Sequence, residues 1–74
     1  MTIHELIPIY DSRKSFYRKA HVLYLDNGMI QLQSYNTIVC ETDNKGNFKR
    51  LWYGNTQTTN RHIKEFIKQF NCGI

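Results

Sequence analysis

The sequence contains few of the residues that cross-link small domains through disulfides or metal ions. It has only two cysteines, Cys40 and Cys72, and neither belongs to a Cys-x-x-Cys motif. The three histidines are not spaced with them as zinc ligands are. We therefore expect no metal and no cofactor, and the cysteines do not require a disulfide. Cys40 lies in an apolar run typical of buried strands, whereas Cys72 lies in a C-terminus that we expect to fray.

The sequence also lacks the residue patterns typical of catalytic and phosphate-binding sites. The four glycines lie at turn or terminal positions, so the sequence offers no glycine-rich loop for a phosphate. Its six acidic residues are scattered, which disfavours a carboxylate pair for acid–base catalysis. As a nucleophile, Cys40 would need His21 or His62 within hydrogen-bond reach, and nothing in the sequence places either one there. We therefore expect a protein that is not an enzyme.

The length of 74 residues admits one domain, which we expect to span residues 1–74. This length excludes a two-domain enzyme with a cofactor-binding fold. Residues 1–5 lack the features of a secretory signal peptide, and no apolar run is long enough to cross a bilayer. We therefore expect a cytoplasmic protein that has no membrane partner.

The sequence is rich in apolar and aromatic residues and carries an excess of positive charge. Hydrophobic residues make up 41% of the chain and aromatic residues 14%, so aromatic side chains can supply much of a small core. Ten lysines and arginines against six acids give a net charge of +4. This charge favours an acidic partner, either a nucleic acid or the acidic face of a protein. Alternatively, it only keeps a small protein soluble.

Alternating apolar and polar residues predict four antiparallel strands joined by short turns. The predicted strands cover residues 20–25, 29–34, 37–41 and 48–53. Between the first two, Asn27-Gly28 predicts a type I′ hairpin turn, because both residues tolerate a positive φ. Residues 3–10 contain Pro8, which has no amide hydrogen, so this segment is either an edge strand or an extended lead-in.

Residues 57–70 show the apolar spacing of one helix. Its apolar stripe consists of Ile63, Phe66, Ile67 and Phe70. The hydroxyl of Thr56 can cap the N-terminus, and Asn71 or Gly73 can end the helix. The predicted fold is therefore α+β, with a four-stranded or five-stranded antiparallel sheet and one C-terminal helix packed on one face.

The outer face of this helix is mainly basic. We expect Arg61, Lys64 and Lys68 to lie opposite the apolar stripe, with Glu65 beside them. Such a face can contact a nucleic-acid backbone, but a mixed-charge outer face is also normal for a solvated helix.

A basic and aromatic segment precedes the second predicted strand. It contains Arg13, Lys14, Tyr17, Arg18 and Lys19, with Phe16 among them. Lysine and arginine can neutralise phosphates, and an exposed tyrosine can stack on a base. The same residue types also anchor protein interfaces. The alternative is a solvated loop whose aromatic side chains fold back into the core.

A second basic and aromatic cluster ends the last predicted strand. Because side chains alternate along a strand, Arg50 and Trp52 share one face, and the indole can contact the guanidinium or a partner. A single tryptophan in a small domain is more often part of the core. In that case Lys49 and Tyr53 form the exposed pair.

Three phrases of the sequence are similar to a known family. They are YDSRKSFY at 10–17, SYNT at 34–37, and LWYG at 51–54 leading into TTNRH at 58–62 and EF at 65–66. In this order and spacing they resemble a small uncharacterised domain family of phages, plasmids and other mobile elements of Firmicutes and gut bacteria. That family tends to have glycine where Arg18 stands, and a Ser-Ala pair where Thr56-Gln57 stands.

The resemblance, which covers about residues 6–70, implies a context rather than a chemistry. It implies a short accessory protein of a mobile element, in the cytoplasm of a bacterial host cell, and it supplies no catalytic residues. Small proteins of this kind often act by binding, and they include inhibitors of host defence such as anti-CRISPR proteins.

The leading hypothesis is a non-enzymatic binding protein of a phage or mobile element that inhibits a host defence protein, such as a CRISPR effector or a nuclease. Its candidate contact residues are Arg13, Lys14, Tyr17, Arg18, Lys49, Arg50, Trp52 and Tyr53. The alternative is a small nucleic-acid-binding protein that uses the same basic surface. A third hypothesis is a homodimer formed by pairing of exposed sheet edges.

Overall fold

The computed structural model describes residues 1–11, 16 and 18–72, which fold into an antiparallel sheet and a helix. The sheet has the strand order β1-β2-β3-β4-β5, so each strand pairs with its neighbour along the chain. The elements are β1 (Thr2–Glu5), β2 (Ala20–Tyr24), β3 (Ile30–Ser34), β4 (Thr37–Thr42), β5 (Phe48–Arg50) and α1 (Gln57–Phe70). The predicted α+β fold is confirmed, and the N-terminal segment supplies the fifth strand, at an edge of the sheet.

The hairpin between β2 and β3 differs from the predicted type I′ turn. That turn needs a positive φ at both central residues, but Gly28 has one (87°) and Asn27 does not. The N–H of Leu25 donates to the carbonyl of Met29 at 2.9 Å, which closes a three-residue loop. Because the side-chain oxygen of Asn27 accepts the Met29 N–H at 3.0 Å, this local bond supports the larger loop.

The pairing of β3 with β4 contains a β-bulge at Val39. The register shifts between Leu32 and Gln33, so Val39 has no partner in β3. Its carbonyl accepts the N–H groups of both Leu51 and Trp52, at 2.9 and 3.0 Å. Two successive amides therefore converge on one carbonyl, and the regular ladder ends. For this reason β5 is shorter than the strand predicted for this part of the chain.

The predicted apolar stripe of α1 packs on the sheet. Ile63 and Phe66 are buried, and Ile67 and Phe70 pack at the margin of the core. The buried core consists of Leu6, Phe16, Ala20, Val22, Leu32, Val39, Cys40, Ile63, Phe66 and Cys72. Its largest side chains are two phenylalanines, as the aromatic content of the sequence predicts.

The two ends of α1 fall where the sequence predicts them, but one expected bond is absent. Thr56 is the N-cap residue, yet its hydroxyl makes no capping hydrogen bond. Asn71 ends the helix in the left-handed conformation, with φ of 53°. The chain turns back there, and the N–H of Cys72 donates to the carbonyl of Ile67 at 3.1 Å. Cys72 is therefore buried, and the prediction that it lies in a frayed terminus is wrong.

Both cysteines are buried free thiols. Burial, together with the neighbouring Cys72, raises the pKa of the Cys40 thiol to about 12. Burial also raises the pKa of Cys72. The expectation that Cys40 is a small buried apolar residue is confirmed, because its side chain is fully enclosed in the core.

We expect the protein to lose stability as the pH rises from about 9 to about 12. In the unfolded chain the Cys40 thiol ionises near its ordinary pKa of 9.0, but burial keeps it protonated in the folded protein up to about 12. The folded state holds this proton more tightly, so the free energy of unfolding falls by up to about 1.4 kcal/mol per pH unit. Urea unfolding at about pH 8 and about pH 10.5 measures the loss. Cys40→Ala should lose less over the same interval, and an equal loss would contradict this assignment.

Candidate binding surface

The antiparallel order brings several chain segments to one end of the sheet. β2 and β4 begin there, and β3 and β5 end there. The N-terminal half of α1 lies over the same end, because Thr59 and His62 both bond to Ser34. We call this end the basic end. Its cationic and aromatic residues are Arg18, Lys19, Tyr35, Arg50, Trp52, Tyr53, Arg61 and Lys64.

A surface pocket of about 450 Å³ opens at the start of α1 within the basic end. It is lined by Asn55, Gln57, Asn60, Arg61 and Lys64. The lining thus holds two cations and three side-chain amides, and the first turn of α1 has no acidic residue. The positive end of the helix dipole adds to this field. A carboxylate or phosphate group of a partner matches these donors.

Most acidic residues lie away from the pocket. Asp26 and Asp43 are in the hairpin loops at the opposite end of the sheet, where Asp26 pairs with the N-terminal amino group at 2.7 Å. Glu41 accepts a hydrogen bond from Gln31 within the sheet. Glu65 is buried. These four acids therefore leave the pocket electropositive, whereas Glu5, whose carboxylate accepts the N–H of Arg18, lies at the basic end itself.

Arg50 contacts Trp52, as predicted, although Trp52 lies beyond the end of β5 and not in the strand that the prediction assumed. The guanidinium carbon of Arg50 lies 5.6 Å from the centroid of the indole ring. Arg50 also donates to the carbonyls of Trp52 and Gly54, at 2.7 and 3.3 Å, and to Asn60 Oδ1 at 3.4 Å. The indole itself packs against the core. Arg50 therefore ties the segment after β5 to the helix, while Tyr53 stays 81% exposed.

The indole of Trp52 lies directly against the backbone of Gly54. A Cβ atom at position 54 would be 2.6 Å from indole Cε2 and 2.9 Å from Nε1. Such a separation is shorter than van der Waals contact, so this position needs a residue without a side chain. The packing of the Trp52 indole on Gly54 therefore explains the Trp-x-Gly motif of the sequence.

Two further candidate residues, Lys49 and Arg18, are described by the structure and lie on the surface. Lys49 is exposed and pairs across the sheet with Glu41, on the face opposite Arg50. Arg18 is exposed, and its N–H donates to Glu5 Oε2 at 2.9 Å. The backbone of Arg18 is left-handed, with φ of 58°, a conformation that glycine adopts without strain. Arg13, Lys14 and Tyr17 lie outside the described residues.

A buried polar cluster that the sequence analysis did not predict joins α1 to β3. The hydroxyl of Ser34 lies 2.8 Å from His62 Nδ1 and 3.0 Å from Thr59 Oγ1. The ring of Phe16 packs on His62 with 4.7 Å between centroids. The pairing of serine with histidine resembles the start of a catalytic arrangement, but His62 is fully buried and Ser34 is nearly so. The cluster therefore fixes the position of the helix.

Glu65 does not lie on the outer basic face of α1, so the prediction that places it there is wrong. Its side chain is 2% exposed and faces the segment that follows β1. Its carboxylate accepts the N–H of Ile9 at 2.8 Å and the N–H of Tyr10 at 3.1 Å. Gln69, one turn further along the helix, also donates to it. Backbone amides that the sequence pattern does not reveal thus make burial of this charge tolerable.

Neither a metal centre nor a membrane span is seen in the described parts of the chain. No three His, Cys, Asp or Glu side chains meet there in a group that could hold a metal ion. No helix there is long and apolar enough to cross a bilayer.

Comparison with known proteins gives one match. Residues 4–73 match a family of unknown function, DUF8033. No curated protein and no solved structure matches the chain. The match covers nearly the whole chain but assigns no chemistry to it.

Replacing Glu65 with alanine should destabilise the protein strongly. The N–H groups of Ile9 and Tyr10 would lose a charged acceptor in a partly buried place, so we expect the free energy of unfolding to fall by about 2–4 kcal/mol. Urea unfolding measures the change. The control is Glu41→Ala, which removes a half-exposed carboxylate and should cost less than about 1 kcal/mol. Similar losses in the two variants would contradict the special role of Glu65.

The contact between Gly54 and Trp52 can be tested by fluorescence, because Trp52 is the single tryptophan of the chain. In Gly54→Ala the added methyl group should push the indole outwards and shift its emission to longer wavelength. We expect the free energy of unfolding to fall by about 1–3 kcal/mol. Tyr53→Ala, at the exposed neighbouring position, should leave the emission unchanged. Unchanged emission in Gly54→Ala would show that the indole does not pack there.

Proposed function

Because the chain belongs to DUF8033, a family of unknown function, we propose a function from its own surface: it is a non-enzymatic binding protein that docks on an acidic protein through its basic end. The observation that carries this proposal is the pocket at the start of α1, which has two cations and no acid in its lining. The carboxylates of a partner can enter it and pair with Arg61 and Lys64.

Exposed tyrosines beside the pocket support a protein interface. Tyr53 is 81% exposed and Tyr35 is 47% exposed, and both lie at the basic end. Tyrosine and arginine are the residue types that most often anchor protein interfaces. Tyr35 is also held in place, because its N–H donates to the carbonyl of Lys19 at 2.7 Å. A main chain that is already fixed at this position reduces the conformational entropy lost when a partner binds.

For the partner we propose a host defence protein in the bacterial cytoplasm, such as a nuclease or a CRISPR effector. The resemblance of the sequence to a family of mobile elements supports this choice. The chemistry supports it as well, because nucleases that use metal ions cluster carboxylates in their active sites. A basic surface that covers such a cluster would block the enzyme without any catalysis of its own.

The same pocket also suits a phosphate, which favours nucleic-acid binding as the second candidate. Arg61 and Lys64 can neutralise a phosphate, and the exposed ring of Tyr53 can stack on a base. This candidate differs from the first in one measurable respect. Binding to nucleic acid is destroyed by nuclease treatment, whereas binding to a protein survives it.

Affinity capture with matched charge reversals tests the proposal. The tagged protein is incubated with a lysate of a bacterium that has a CRISPR system, in one sample with nuclease treatment and in another without it, and recovered proteins are identified by mass spectrometry. We expect Lys64→Glu to reduce recovery of the partner at least about fivefold, because it reverses a charge in the pocket. Lys45→Glu makes the same change in the far hairpin loop and should keep recovery close to that of the natural protein.

Two results of this experiment would contradict the protein partner. One is equal recovery with Lys64→Glu and Lys45→Glu, which would show that the pocket is not the contact. The other is a signal that disappears on nuclease treatment, which would favour the nucleic-acid candidate instead.

A further inference from the structure

Three large apolar side chains stand out from the surface just after β1. Ile7, Ile9 and Tyr10 are 62%, 72% and 60% exposed. By contrast, Leu6 immediately before them is 2% exposed and belongs to the core. Apolar side chains that face water so close together mark an interaction site more often than a structural one. We call residues 7–10 the docking segment.

The backbone of the docking segment is held firmly although its side chains are free. The carboxylate of Glu65 accepts the N–H groups of Ile9 and Tyr10. Gln69 donates to the carbonyl of Ile7 at 2.8 Å and also bonds to Glu65. Two helix residues one turn apart therefore clamp the main chain of the segment.

The clamp orders the segment at a cost in desolvation. Removing a carboxylate from water costs several kcal/mol before hydrogen bonds offset it. In the docking segment Glu65 holds main-chain groups, whereas the outward side chains contribute little to the core. Pro8 fixes one more φ angle within the segment. The segment is thus ordered before binding, which reduces the entropy lost when a partner docks.

The charges beside the docking segment indicate the chemistry of its partner. Arg61 and Lys68 lie one turn before and about one turn after Glu65, so they flank it along the outer side of α1. Lys68 is exposed and Arg61 is half-buried. The carboxylate of Glu65 itself is turned inwards and does not offset them at the surface. The segment is therefore an apolar row with the cations of α1 along one side and Asp11 directly after it.

We propose that the docking segment binds an acidic amphipathic helix of a partner protein. The apolar stripe of that helix covers Ile7, Ile9 and Tyr10, and its carboxylates pair with Arg61 and Lys68. This inference shares Arg61 with the basic end of the proposed function, but the apolar row and its clamp stand on separate observations.

Two synthetic peptides test this chemistry directly. One is an amphipathic helix of about 18 residues with a leucine stripe flanked by glutamates, and the other has lysines in place of the glutamates. Fluorescence anisotropy with labelled peptides measures both affinities. We expect the full chain to bind the acidic peptide at least about tenfold more tightly than the basic one, since only the acidic peptide complements Arg61 and Lys68.

Surface variants then locate the contact. Ile9→Ser should weaken binding of the acidic peptide at least about tenfold, because it removes the most exposed apolar side chain of the segment. Ile3→Ser makes the same change at an exposed position of β1 and should leave the affinity within about twofold. Both positions are largely exposed, so circular dichroism should show that both variants fold.

Several outcomes would overturn the proposal. They are failure of the acidic peptide to bind, equal binding of the two peptides, and equal effects of Ile9→Ser and Ile3→Ser. Binding to vesicles of phosphatidylserine and phosphatidylcholine that is lost in Ile9→Ser would identify a lipid surface as the occupant instead. Sedimentation that shows a dimer in the natural protein and a monomer in Ile9→Ser would identify a second copy of the chain.

Discussion

The helix is oriented on the sheet by two buried polar side chains that both find partners. His62 bonds to Ser34 of β3, and Glu65, about one turn further on, accepts main-chain N–H groups of the segment after β1. Apolar packing alone is not directional and would permit a single helix to rotate or slide. These bonds favour one rotation, because another would break them and leave the main-chain N–H groups of Ile9 and Tyr10 without their acceptor.

That rotation decides what the outside of the protein offers to a partner. With the two polar side chains turned inwards, Arg61, Lys64 and Lys68 point away from the sheet. The same contacts draw the docking segment along the side of α1 with its apolar side chains outwards. The pocket at the basic end and the exposed apolar row are therefore two consequences of one packing arrangement. Both features support a binding protein, and neither supplies a reaction centre.

Parts of the candidate surface could be predicted because they follow local periodicity. The twofold alternation of a strand puts Lys49 and Arg50 on opposite faces of β5, and the structure has this arrangement, whereas Arg50 contacts Trp52 beyond the end of the strand. The pocket could not be predicted in this way, since Asn55 and Lys64 meet only after the segment that follows β5 folds against the helix. The prediction for Glu65 was wrong because the position of Glu65 in the helical repeat is also compatible with the outer face.

The amino-acid sequence by itself determined the order of the elements along the chain and the apolar stripe of α1. These features depend on residues close together in the chain, whose conformations follow from backbone geometry and side-chain shape. Only the tertiary structure decided which buried group bonds to which. Ile9 and Glu65 are 56 positions apart. A local sequence pattern therefore cannot predict that the N–H of Ile9 donates to the carboxylate of Glu65.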